Sequence, residues 1–341
     1  MPLSPTSTIQ KNDNSTDRRS ALHQWLEKTL GTPVTLTPLM KEASRRTYYR
    51  IHLPQGSLIA MDAPPAFENC QPFIHLTRLL NEQKITVPTL HSYNLELGFM
   101  ILTDFGNDLL LNQLQPSTVE KWYDNAMDLL LKIHLCKNTT LYQPPMFQAQ
   151  DWREELSLFT DWYIKHHFKH HMSDRDHQIW YQLQEMLLET IASQPQVLLH
   201  KDFHSKNLMC LPCGQLGVLD YQDAFIGPIT YDIASLLNDC YLDWPETMVH
   251  QWALQFKAKL EQTQLIQEIS NAVFLEWFDF TSLQRHLKNL GNFIRISEQQ
   301  HLSQYLSYLP RMNQYICTIC QRHEKLHPFL HWLSTITKRK D

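Results

Sequence analysis

Glycine is scarce: only 8 of 341 residues. That is too few for a glycine-rich cofactor loop or for a turn-dense all-β fold. No run of about 18 apolar residues occurs, so no segment is expected to span a bilayer. The first 17 residues, MPLSPTSTIQKNDNSTD, lack an apolar stretch and read as a flexible tail rather than a secretory signal. Nor is charge of one sign concentrated. The 30 basic and 35 acidic residues are mixed along the chain, for a formal charge of −5, which leaves no nucleic-acid footprint. Cysteines number seven, an odd count and a poor disulfide framework for a chain of this size. Cytoplasmic residence, as a monomer with neither membrane nor nucleic-acid partners, is the expectation.

What is present points to two lobes around a cleft. Hydrophobic residues make up 43%, enough for large cores, and nine Trp with 13 Tyr supply broad packing surfaces. Two cysteine pairs, Cys210-Leu-Pro-Cys213 and Cys317-Thr-Ile-Cys320, carry the spacing of a zinc or redox site. They read more simply as a turn pair and a helix-face pair, with a zinc module as a distant alternative.

After the tail, Arg18 to Leu30 has a helical stripe of Leu22, Trp25, Leu26 and Leu30, stopped by Gly31. The period then changes. Thr32–Met40, Thr47–Leu53 and Ser57–Asp62 read as strands, the last two joined by Pro54-Gln55-Gly56. Phe67–Glu82 reads as a helix and Gly98–Leu102 as a strand. Residues 18–104 therefore form a small α+β lobe, and 105–337 a mainly helical one. Helices are expected at Val119–Leu135, Trp152–His171 and His177–Ser193. Short strands at Val197–His200, Leu216–Leu219 and Asn207–Leu211 interrupt them, and helices resume after Pro228.

The chemistry lies in that interruption. His200-Lys-Asp202-Phe-His204-Ser-Lys206-Asn207 follows one apolar strand, and Asp220-Tyr-Gln-Asp223 follows another. Phosphoryl transfer from ATP needs one carboxylate to orient the attacking hydroxyl and take its proton. A second carboxylate and an amide oxygen are needed to hold Mg²⁺ against the phosphates. Asp202 fits the first role, and Asn207 with Asp220 the second. His200 reads as a brace for the loop, and Asp232, at a helix start, as a structural tie. His204 and Lys206 are either phosphate contacts or solvated loop residues.

HKDFHSKN with LDYQD resembles the catalytic and metal segments of aminoglycoside phosphotransferases. Four further strings are similar to the bacterial anomeric N-acetylmuramate/N-acetylglucosamine kinases: EASRRTYYR (42–50), MDAPP (61–65), LDYQDAFIGPITYDIASLL (219–237) and LQRHLKNLGNF (283–293). The resemblance runs from about residue 20 to 335. It implies an α+β, two-lobed, protein-kinase-like fold with a small nucleotide-binding lobe and a helical lobe bearing the acceptor site. The activity implied is phosphorylation of the anomeric hydroxyl of an amino sugar with ATP and Mg²⁺, which would salvage cell-wall sugars. Asp202 is then the base, and Asn207 and Asp220 the metal ligands. Ser44 and Arg46 lie in the loop covering the nucleotide, which here has no glycine. Glu154, Glu155, Trp162, Arg285 and His286 are the acceptor-side candidates. One departure stands out: Met61 occupies the third-strand position where protein kinases carry lysine, and Phe67–Leu80 offers only Glu68 as its helix partner. Choline, homoserine or antibiotic kinases of the same fold are the enzyme alternatives, and a pseudokinase-like binding protein is the alternative outside that class.

Overall fold

The computed structural model describes residues 13–39, 45–136 and 142–338. The chain divides into two compact units, one built from the chain up to Ile74 with Pro88–Asp104, the other from His75–Val87 and the chain from Phe105 onward.

In the first unit, helix α1 (Asp13–Leu30) precedes strands β1 (Thr35–Pro38), β2 (Thr47–Leu53) and β3 (Gly56–Asp62). Helix α2 (Gln71–Glu82), which the division between the units cuts after Ile74, comes next in the chain, and β4 (Leu90–Asn94) and β5 (Phe99–Thr103) complete the first unit. The sheet runs β1-β2-β3-β5-β4, with every pairing antiparallel. Leu22 and Leu26 of α1 pack on Ile51, Ala60, Phe99 and Ile101, so the helical stripe read from the sequence closes one sheet face. The hairpin pairs Leu53 with Gly56, leaving Pro54-Gln55 as its loop. The first expected strand shrinks to Thr35–Pro38, and Met40 lies outside the described residues.

Three local expectations differ from the fold, the first being the tail: helix α1 begins at Asp13, so residues 13–17 are helical. Helix α2 starts only at Gln71, because the N–H groups of Phe67 and Glu68 bond back to the Pro64 carbonyl and Asn69 Oδ1 accepts from the Gln71 N–H at 3.0 Å. Strand β4 has no counterpart in the sequence reading. Its Leu-His-Ser-Tyr-Asn run holds no β-branched residue, and its register slips between Leu90 and Ser92.

The second unit contains α3 (Leu110–Gln113), α4 (Val119–His134), α5 (Ala149–Leu158) and α6 (Asp174–Ala192). Strands β6 (Gln196–Leu199), β7 (Leu208–Cys210), β8 (Leu216–Val218) and β9 (Phe225–Pro228) come next, pairing β6–β9 and β7–β8. Helices α7 (Tyr231–Leu237), α8 (Glu246–Gln262), α9 (Asn271–Gln300), α10 (Leu309–Arg322) and α11 (His327–Thr337) complete it. Strand β9 was also absent from the sequence reading. The seven cysteines are free, with Cys317 and Cys320 on α10. No helix among the described residues is long and apolar enough to cross a membrane.

Helix α9 is the spine of this unit, packing against α5, α6, α7, α8 and α10. The single helix expected over Trp152–His171 is instead α5 followed by a π-helical segment, Phe159–His167. The change comes where Gly291 of α9 presses on the backbone: a Cβ there would lie 2.0 Å from the Leu158 carbonyl oxygen. Only glycine allows that approach, which seats Leu283, Leu287 and Leu290 in one core with Phe159 and Tyr163. Gly291→Ala is expected to cost about 1–3 kcal/mol through overpacking against backbone that cannot yield. A thermal melt should show a midpoint several degrees lower.

Candidate active site

Strand β6 ends in a turn whose backbone is fixed by buried charge. Asp232, in the first turn of α7 and without solvent exposure, accepts the His200 N–H at 2.6 Å and the Lys201 N–H at 3.0 Å. Burial pushes the Asp232 carboxyl up to about 6, while the backbone N–H groups it accepts and the Arg285 charge pull against the rise. From the other side, Arg285 Nη1 donates to the Lys201 carbonyl at 2.8 Å and Nη2 to Ser235 Oγ at 2.6 Å. The Lys201 peptide is thus held at both ends, in a left-handed conformation with φ of 83°. For a residue with a Cβ that conformation costs about 1–2 kcal/mol, a strain that persists only where the surroundings over-determine it.

His200 joins the two loops. Its Nε2 lies 2.7 Å from the Leu219 carbonyl, and its Nδ1 accepts the Asp202 N–H at 3.3 Å. Those two bonds together require a neutral ring carrying its proton on Nε2. Asn207 Nδ2 donates to the Asp202 carbonyl at 2.9 Å, and the Leu219 N–H donates to the Asn207 carbonyl at 2.9 Å. Asp202, Asn207 and Asp220 are therefore tied into one hydrogen-bonded loop pair. Asp220 adopts φ of 60°, and Gln222 Nε2 donates to its Oδ1 at 2.8 Å. Lower in the turn, Asp239 accepts both the N–H and the hydroxyl of Ser205.

The Asp202 side chain is 42% exposed, with Arg285 3.9 Å away. Desolvation by the surrounding protein would raise its pKa. Lys288, then Arg285, His204 and Lys201, outweigh that and bring it to about 2. Beside it, Glu155 of α5 stands between Lys201 at 3.7 Å and Lys288 at 3.8 Å, and accepts from Gln284 Nε2 at 3.2 Å. Lys288 also donates to the Tyr231 hydroxyl at 3.0 Å.

Of the sequence candidates, the fold brings Asp202, Asn207, Asp220, Arg285 and Glu155 into this network. It does not bring Glu154, Trp162 or His286. Glu154 bonds along its own helix to Gln150 at 3.0 Å. Trp162 packs against the helical core and His166. His286, one residue past Arg285, lies on a different face of α9 and stacks on Tyr315 at 4.9 Å; burial holds its ring neutral, at about 3. None of these three hydrogen-bonds to Asp202, Glu155 or Arg285. Lys201 and Asp239 were not recognised in the sequence, since neither belongs to the spaced acid–amide pattern. In the first unit, Met61 is buried, and Glu68 pairs with Arg46 at 2.9 Å. Ser44 lies outside the described residues.

Asn207 and Asp220 suit a magnesium ion bound jointly with phosphates. With Asn207 Nδ2 committed to Asp202, its amide oxygen is the atom left for a cation. Among the described residues no three His, Cys, Asp or Glu side chains form a metal cage. Mg²⁺ in phosphoryl-transfer sites needs none, because it uses one or two protein groups, substrate phosphates and water.

The model of the phosphotransferase enzyme family matches residues 35–266. The chain is 34% identical to the N-acetylmuramate/N-acetylglucosamine kinase of Pseudomonas aeruginosa, over 86% of both chains. It is 30% identical to the protein of that name from Neisseria meningitidis, over 91% of this chain and 93% of the relative. Among solved structures, choline kinase from Streptococcus pneumoniae superposes with a TM-score of 0.62, at 11% identity, over 89% of this chain and 99% of the other. That last likeness concerns the fold alone.

Proposed function

The chain belongs to the phosphotransferase enzyme family, and from that premise we propose that it is an ATP-dependent kinase phosphorylating the anomeric hydroxyl of N-acetylmuramate and N-acetylglucosamine. The observation that carries the reading is the turn holding Asp202. One open carboxylate is fixed by Arg285, Asp232 and the Lys201 peptide, and hydrogen-bonded to the loop bearing Asn207 and Asp220. The amino-sugar acceptor is taken from the names of relatives that this chain matches over most of its length.

Asp202 orients the sugar hydroxyl and takes its proton as the new O–P bond forms and the bond from the γ-phosphorus to the bridging oxygen breaks, releasing ADP. A carboxylate held at about 2 remains ionised across the working pH range, and this weak base can take the hydroxyl proton because that proton becomes acidic as the attacking oxygen turns positive. Mg²⁺, held by Asn207 and Asp220, would supply charge neutralisation for the phosphates of ATP. Arg285, expected on the acceptor side because it belongs to a polar string inside an apolar helix, acts instead as a positioning residue, because its fork is spent on Lys201 and Ser235. Glu155 orders Lys201 and Lys288.

Met61 and the glycine-free loop are the features that favour a non-catalytic protein. Against them stands Arg46, which offers the same unit a cation oriented by Glu68.

The regiochemistry has a direct test. A methyl glycoside of N-acetylglucosamine blocks the anomeric oxygen and leaves the other hydroxyls free. It should not be phosphorylated, while the free sugar should give an acid-labile glycosyl phosphate. An acid-stable product from the methyl glycoside would refute phosphorylation at C1 and leave Asp202, Asn207 and Asp220 in their roles.

A further inference from the structure

Four cations belong to the catalytic turn and its surroundings, and three of them face an acid. Lys201 and Lys288 share Glu155, and Arg285 faces Asp202. Lys206 does not. It sits directly before Asn207, yet its ammonium rests on two tyrosine rings, 3.7 Å from the Tyr241 centroid and 5.3 Å from that of Tyr308. Its hydrogen bond, to the Tyr308 hydroxyl, is long at 3.4 Å. Among the described residues no carboxylate lies within ion-pair distance of it. Tyr241 and Tyr308 meet edge to face at 4.9 Å, and Tyr308 is backed by Phe293 at 6.0 Å. The rings fix the position of the ammonium without neutralising it, since a quadrupole carries no net charge.

We propose that Lys206, framed by Tyr241 and Tyr308, is the specificity-determining residue that recognises the carboxylate of an acidic amino-sugar acceptor. The inference rests on the sugar-kinase reading above and deepens it. N-acetylmuramate carries a carboxylate, on its lactyl ether, that N-acetylglucosamine lacks. A monoanion attached to a pyranose ring suits one ammonium beside aromatic faces. A triphosphate is held differently, by backbone amides, a metal and several cations together, and this wall of rings offers none of those. The position of Lys206 fits as well. It shares a single turn with Asp202, so an acceptor whose hydroxyl reaches Asp202 has its remaining substituents within reach of neighbouring side chains on that turn. The exposed, solvated lysine considered from the sequence is not what the fold builds, because Lys206 is half-buried and held on both sides.

The test compares kcat/KM for the two sugars in the full-length enzyme and in Lys206→Met, which keeps the aliphatic stem against the rings. The ratio of N-acetylmuramate to N-acetylglucosamine should fall by about ten- to a hundredfold, the range for losing a charge-assisted bond, mainly through KM for N-acetylmuramate. Lys206→Arg keeps the charge and should retain most of the ratio. A loss shared equally by both sugars would mean that Lys206 only shapes the loop, and it overturns the proposal. A rise in KM for ATP with either sugar would assign the ammonium to the nucleotide, and overturns it equally. Should the parent enzyme turn over neither sugar, the sugar-kinase reading itself fails and this inference falls with it. Turnover of both with an unmoved ratio removes Lys206 alone.

Discussion

Asp202→Asn should lower turnover by about 10²–10⁴ while ATP affinity stays close to that of the parent. The amide has the size of the carboxylate, so the turn, fixed through backbone groups by Asp232, Arg285 and Asn207, should survive the change. What is lost is the ability to take a proton and the negative charge that orients the acceptor hydroxyl. The pH profile supplies a second check. The folded pKa of Asp202 lies below its ordinary value, at about 2, so the group stays ionised at every pH above roughly 3. Its titration therefore contributes no acidic limb to kcat/KM in the neutral or mildly acidic range. The measurements are steady-state kinetics of both proteins across pH, with nucleotide affinity by calorimetry. Near-parent turnover in the variant would remove Asp202 from the base role, and an equal loss in nucleotide affinity would move it toward the phosphates.

The spacing of Asp202, Asn207 and Asp220 was legible because catalysis of this kind needs particular residue types at strand ends, and strand ends are written in the sequence as short apolar runs. The strands around them were harder. Strands β4 and β9 have only five and four residues. The first lacks β-branched side chains, and the second, Phe-Ile-Gly-Pro, holds two residues that sequence patterns assign to turns. Both exist because a partner strand is present, which is tertiary information. The same limit explains the acceptor-side residues. Gln284, Arg285, His286 and Lys288 form one polar string inside an apolar helix, but α-helical geometry sends successive residues to different faces. Arg285 reaches the Lys201 carbonyl while His286 stacks on Tyr315. A polar string marks a buried functional helix without saying which member faces the site. The π-helical segment opposite Gly291 was likewise invisible, since the apolar stripe continues through it.

Arg285→Met should be the most damaging change outside the catalytic carboxylate. Arg285 is buried and makes two directed bonds, to the Lys201 carbonyl and to Ser235. Its charge also offsets Asp202 and Asp232. Removing one partner from such a buried network typically costs about 3–5 kcal/mol, because the charges left behind remain desolvated. The left-handed Lys201 peptide would then be held at one end only. Relaxation of that peptide moves the next residue, Asp202, and a displacement of about 1 Å at a reacting group can cost on the order of 10² in rate. Arg285→Lys separates charge from geometry. An ammonium keeps the positive charge near Asp202 and Asp232, but it lacks the planar fork that reaches Lys201 and Ser235 together. The expected pattern is a large fall in kcat for both variants, measured well below their melting midpoints. The larger loss of stability belongs to Arg285→Met, and only there should the Asp202 pKa rise toward its ordinary value. If Arg285→Lys retains parent kcat, the charge alone suffices and the fork positions nothing. If Arg285→Met also retains it, the strained turn does not depend on Arg285, and Asp232 alone must hold Asp202 in place.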